Sequence, residues 1–142
     1  MPEEPYRLSR FLDAQGPVYE QVQLELRRGR KASHWMWFIF PQIVGLGASP
    51  MAKEYAITSL DEARAYLKHP VLGQRLGECV DLVNGIEGRY VEEIFGHPDH
   101  LKFQSSMTLF SQAAPDDRRF TDALQRYFDG APDPFTLQRL GG

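Results

Sequence analysis

The stretch Ser33-His34-Trp35-Met36-Trp37-Phe38-Ile39-Phe40-Pro41-Gln42 constrains this chain more than any other. Both tryptophans and two of the nine phenylalanines fall within six residues of it. Each such ring withdraws roughly 150–250 Å² from water, so the block either centres the core or walls a pocket. By periodicity, a short continuous apolar run fits a buried strand or a buried helix. Ser33 has the chemistry of an N-cap and Pro41 that of a terminator, which favours a short buried helix over about 34–40.

Helix punctuation recurs on both sides of the block. Pro17 opens a helix whose apolar face is Val18, Tyr19, Val22 and Leu26, closed by Arg27, Arg28 and Gly29. Leu8, Phe11 and Leu12 mark a shorter helix before Gly16. Ser49-Pro50 opens a helix to about Ile57, and Ser59 opens another carrying Leu60, Ala63 and Leu67. Leu72, Leu76, Cys79, Val80 and Val83 form the next face, stopped by Asn84-Gly85. Tyr90, Ile94 and Phe95 lead to Gly96, and Asp99 then caps a helix with Phe103, Met107 and Phe110. Asp116 begins a long helix with Phe120, Leu124, Tyr127 and Phe128, and a last turn falls at 134–140. Strand-like alternation is nowhere sustained. The expected fold is all-α: one compact domain over 1–142, with about seven to nine short helices in orthogonal or horseshoe-like packing.

At 142 residues the chain is long enough for a single well-buried domain. Net charge is −3, with nine Lys/Arg against eight Asp/Glu in residues 1–70 and seven against eleven in 71–142. That asymmetry is too small to announce a nucleic-acid or membrane binder. A lone cysteine, Cys79, excludes an internal disulfide framework and fits a reducing compartment. No apolar run approaches the roughly 20 residues that span a bilayer, and the acidic start lacks a signal-peptide pattern. The expected location is the cytoplasm.

Few residues stand out for chemistry. His34, beside two tryptophans, reads either as a general acid or base or as a buried imidazole bonded to backbone. Arg27-Arg28-Gly29-Arg30-Lys31 reads as a phosphate clamp beside a stacking platform, or as helix-end and solvated charge, with Lys31 placed for a pocket mouth. Gly45-Leu46-Gly47-Ala48-Ser49-Pro50 precedes a helix and reads as an anion-binding loop or a tight turn; it is neither a dinucleotide fingerprint nor a Walker motif. Lys102, Ser105 and Ser106 share a helix face, as a serine–lysine pair or as a plain polar stripe. His34, His69, His97 and His100 make no metal-binding pattern, and Glu92-Glu93 and Asp116-Asp117 are not a catalytic dyad. No motif calls for a cofactor.

Lys31-x-Ser33 to Gln42, Gly45-Leu46-Gly47-x-Ser49 and Tyr55-Ala56-Ile57 together resemble a bacterial family known as domain of unknown function 1810. So do Glu62-Ala63-x-x-Tyr66-Leu67, His69-Pro70-x-Leu72-Gly73-x-Arg75-Leu76 and Lys102-x-x-Ser105-Ser106-Met107-Thr108-Leu109-Phe110. The resemblance spans about residues 7–130. Members are often labelled calpastatin, but nothing here looks like a calpain-inhibitory repeat. The resemblance implies a mainly α-helical fold, shared with a mycobacterial hypothetical protein, and implies no activity or catalytic residues.

Three functions remain. The first is a small-molecule site, for an anionic, nucleotide-like ligand, in a pocket beside the His34–Gln42 block. Its ligand-binding residues would be Lys31, His34, Trp35, Trp37, Gln42, Ser49, Lys102 and Ser105. If it is an enzyme, His34, Lys102 and Ser105 are the catalytic candidates. The second is a protein-interaction module with a concave helical surface and an unknown partner. The third is weak single-stranded nucleic-acid binding, which the acidic balance disfavours. Lys31, His34, Gln42, Lys102 and Ser105 should converge, because unpartnered buried groups cost about 1–3 kcal/mol each.

Overall fold

A computed structural model describes residues 6–141. Among the described residues ten helices follow one another: α1 (Ser9–Gln15), α2 (Tyr19–Arg27), α3 (Met36–Ile39), α4 (Pro50–Glu54), α5 (Leu60–Lys68), α6 (Leu72–Asn84), α7 (Val91–Phe95), α8 (Asp99–Ala113), α9 (Arg118–Phe128) and α10 (Pro134–Gly141). The all-α expectation holds; the count exceeds seven to nine because the last turn is a helix in its own right.

Local chemistry explains most boundaries. Ser49 Oγ accepts from Ala52 N–H and Ser59 Oγ from Glu62 N–H, each at 3.1 Å, so both serines cap their helices. Gly29, at φ +76°, takes the left-handed stop after α2. Asp117, not Asp116, caps α9, accepting from Arg119 N–H at 3.1 Å. Asp99 does not act as the cap of α8; it is the first helical residue, following Pro98.

Three ends move for tertiary reasons. Helix α2 starts at Tyr19, because Val18 N–H already closes a turn on Gln15 O at 3.0 Å. Helix α4 stops at Glu54 rather than Ile57. Ile57 instead leaves for a parallel bridge with Ile43, giving its N–H to Gln42 O and taking Val44 N–H, both at 2.8 Å. The aromatic block folds as a single turn of helix, shorter than expected, because Phe40 to Val44 are drawn into this bridge.

Helix α8 is the hub, touching α3, α5, α7, α9 and α10. Its buried residues include Phe103, every position from Ser105 to Ser111, and Ala113, so it lacks a solvent stripe over most of its length. Aromatic rings connect the layers through it. Phe11 meets Tyr66 edge-on at 5.1 Å, Tyr66 meets Phe110 at 5.5 Å, and Phe110 meets Phe120 at 5.7 Å. The aromatic block enters the same core through Phe40, which lies 5.0 Å edge-on from Phe103.

Candidate functional site

The basic run and the aromatic block are joined by one buried carboxylate. Glu25, 2% exposed on α2, accepts Ala32 N–H at 2.7 Å, Ser33 N–H at 3.0 Å, Trp35 Nε1–H at 2.9 Å and Gln21 Nε2–H at 2.8 Å, besides the Ser33 hydroxyl. Burial by itself would raise its pKa, but these donors outweigh burial and hold the carboxyl at about 2. The α2–α3 loop is therefore fastened to α2 by a permanent charge. Sequence reasoning passed Glu25 over. Its signal was present: Val18, Val22 and Glu25 stand at i, i+4 and i+7, which places an acid on the apolar face.

Beyond that loop, Lys31 and Lys102 meet at Asp99. Lys31 Nζ lies 2.8 Å from Asp99 Oδ2, and Lys102 Nζ lies 3.0 Å from Oδ1. Burial opposes ionisation of Asp99, but the two ammonium groups outweigh it and hold its carboxyl below the usual range. Each lysine also covers an indole: Lys102 Nζ is 4.2 Å from the Trp37 ring centre and Lys31 Nζ 5.3 Å from that of Trp35. Only 8% of the Lys31 side chain is exposed.

The other expected members are differently placed. His34 is exposed and, among the described residues, has no hydrogen-bond partner that would orient it as an acid or base. Ser105 Oγ donates to Leu101 O at 3.1 Å, so the expected serine–lysine pair is not formed; Lys102 spends its ammonium on Asp99. Ser49 is occupied as a helix cap. Trp35 is buried, with its N–H on Glu25, while Trp37 is half-buried beneath Lys102. Gln42 is buried, and its Nε2 has no partner among the described residues. Of the five residues expected to converge, Lys31 and Lys102 do so, through a carboxylate assigned to a helix cap.

An open cleft lies on the other side of the basic run. Its volume is about 420 Å³, with Arg27 and Arg28 on one wall, Arg89 and Glu87 on the other, and Leu26 and Ile86 among its apolar lining. Among the described residues, Arg27, Arg28 and Arg89 have no carboxylate within ion-pair distance, whereas Asp81 at the edge is paired with Arg119 Nε at 3.2 Å. Gly29 makes this arrangement possible. A side-chain carbon added there would stand 3.1 Å from Arg89 Nε and push that side chain outward by a few tenths of an ångström, and the φ of +76° itself favours glycine. A second cleft of about 320 Å³ shares Arg89 as a wall and adds Arg30, Lys31, Glu92 and Glu93. The run at 27–31 was visible in sequence, but Arg89 carried no signal of its own.

Several other polar groups are committed internally. Tyr19 OH donates to Glu78 Oε1 at 2.7 Å, and Arg10 Nη2 to Glu62 Oε2 at 3.0 Å. Burial pushes the Cys79 thiol up to about 12, which leaves it unreactive. Among the described residues, no group of three or more His, Cys, Asp or Glu is placed to hold a metal ion. No described helix is long and apolar enough to cross a membrane.

Comparison with known proteins gives one family and one solved structure. A family model described as "Protein of unknown function (DUF1810)" matches residues 5–140. The crystal structure of the conserved hypothetical protein Rv1873 from Mycobacterium tuberculosis is 53% identical. It superposes with a TM-score of 0.97, covering 98% of this chain and 99% of that one. No curated protein matches.

Proposed function

Since the chain belongs to the family described as protein of unknown function (DUF1810), whose description names no activity, we propose a function from the side chains themselves: it binds a small anionic ligand. The ligand sits in the cleft between the α2–α3 loop and the segment joining α6 to α7. One observation carries this reading. Arg27, Arg28 and Arg89 line a single concavity with no ion-pair partner among the described residues, while Asp81 beside them is already engaged by Arg119. Guanidinium groups present forked donors that match phosphate and carboxylate oxygens. A cleft of about 420 Å³ falls within the range of small-molecule sites. A reducing, cytoplasmic location accompanies the proposal, in keeping with the free, buried Cys79.

The test is calorimetric titration with pyrophosphate. Replacing Arg27, Arg28 and Arg89 together by alanine should weaken binding at least roughly ten-fold, the loss of about 1.4 kcal/mol. Equal affinity in wild type and triple variant, or no binding to wild type, would overturn the proposal.

A second reading keeps the ligand at the aromatic block. It is favoured by two observations: the buried Nε2 of Gln42 has no partner among the described residues, and Asp99 leaves one of the two lysine charges over. Lys102→Met separates the two. It abolishes pyrophosphate binding if the block is the site and leaves it unchanged if the arginine cleft is.

A further inference from the structure

The two clefts that share Arg89 differ in their charge, and the difference identifies a ligand class. Among the described residues, the first cleft holds three unpaired guanidinium groups, with Glu87 as the one unengaged carboxylate of its lining. In the second, Arg30 is unpaired among the described residues and so is Glu92. Apart from the shared, unpaired Arg89, its other charges are engaged: Lys31 by Asp99 at 2.8 Å, and Glu93 by Tyr90 N–H at 2.8 Å. A second anion in that cleft would meet Glu92, and an apolar group would strip water from both Glu92 and Arg30 without replacing it. A group rich in hydroxyls satisfies both, because each hydroxyl can donate to the carboxylate and accept from the guanidinium.

The geometry points to a phosphorylated sugar as the ligand: its phosphate on Arg27, Arg28 and Arg89, its hydroxyls on Glu92 and Arg30. This rests on the anion-binding reading of the first cleft. Arg89, as the common wall, sets the distance between the two moieties. Glu92 is the residue that distinguishes a sugar phosphate from a bare phosphate ester of equal charge.

Two probes test this on the full chain by calorimetry: ribose 5-phosphate, and pentyl phosphate, which matches it in carbon count and charge but has no hydroxyls. Ribose 5-phosphate should bind roughly ten-fold more tightly, the scale of one charge-assisted hydrogen bond. Glu92→Ala should erase that preference while leaving pentyl phosphate at least as tight. The Glu92 side chain is exposed and receives no hydrogen bond among the described residues, so an unchanged thermal melt is expected and confirms the fold of the variant. Arg28→Ala should weaken both probes by one factor. Equal affinities in wild type, or a Glu92→Ala loss shared by both probes, would overturn the sugar-phosphate assignment and leave the anion site standing. Failure of both probes and of pyrophosphate would remove both.

Discussion

Two basic regions flank the α2–α3 loop, and they differ in what their charge is used for. At the aromatic block, Lys31 and Lys102 close on Asp99 and lie over Trp35 and Trp37. That cluster is a clasp, tying the loop after α2 to the start of α8. In the cleft, Arg27, Arg28 and Arg89 line one concavity and, among the described residues, have no carboxylate within ion-pair distance; Glu87 is the one acid there not already engaged. Paired charge holds a fold together; unpaired charge in a concavity is available to a ligand. The difference is invisible in a count of basic residues, since the two regions share a single run from Arg27 to Lys31.

Removing the support common to both should have the largest effect. Glu25→Ala leaves four N–H donors and a hydroxyl without their acceptor in a site only 2% exposed. Urea denaturation should show a loss of about 3–5 kcal/mol, the scale of breaking a buried charged network. A loss below about 1 kcal/mol would mean that the loop holds its shape by packing alone.

The clasp comes next. Asp99→Asn strands two lysines whose side chains are 8% and 23% exposed, and should cost about 1–3 kcal/mol. Pyrophosphate affinity of the cleft should survive this change. If binding vanished while the melt stayed put, the clasp and not the cleft would be the ligand site.

Acid should separate the regions more gently. The Glu25 pKa falls from 4.5 to about 2 on folding, and that of Asp99 falls below 3.8. Both contribute stability that is fully present above the unfolded value and is lost as pH drops through the folded one. Stability should therefore decline from about pH 4.5 towards pH 2, mostly through Glu25. Asp99→Asn should flatten the part of that decline below about pH 3.8, and a profile identical to wild type would show that the clasp contributes nothing.

Arg28→Ala is the mirror image and the smallest effect on the fold. Its side chain is exposed and unpaired, so stability should stay within about 0.5 kcal/mol of wild type while pyrophosphate binding weakens. A large drop in melting temperature would assign Arg28 a structural role instead.

How much of this was legible beforehand varies with the range of the interaction. Ser49 and Ser59 cap their helices as read, because a cap is a bond between residues three apart. The end of α4 was misplaced, since Ile57 answers to Gln42 and Val44 rather than to its own neighbours. His34 and Ser105 looked chemical by their company in sequence, yet one faces solvent and the other bonds back to Leu101.

By itself, then, the chain's sequence determined an all-helical domain, the positions of most helix ends and the aromatic content of the core. Those depend on propensity, capping and apolar spacing, each complete within a turn or two of chain. Tertiary structure alone decided which of the basic residues stay open. Asp99 reaches Lys31 and Arg89 reaches the loop at Gly29 only once α6 has packed against α2 and α7 and α8 have closed on the loop that follows it. Charge pairing acts through space over a few ångströms, and only the folded chain sets those distances.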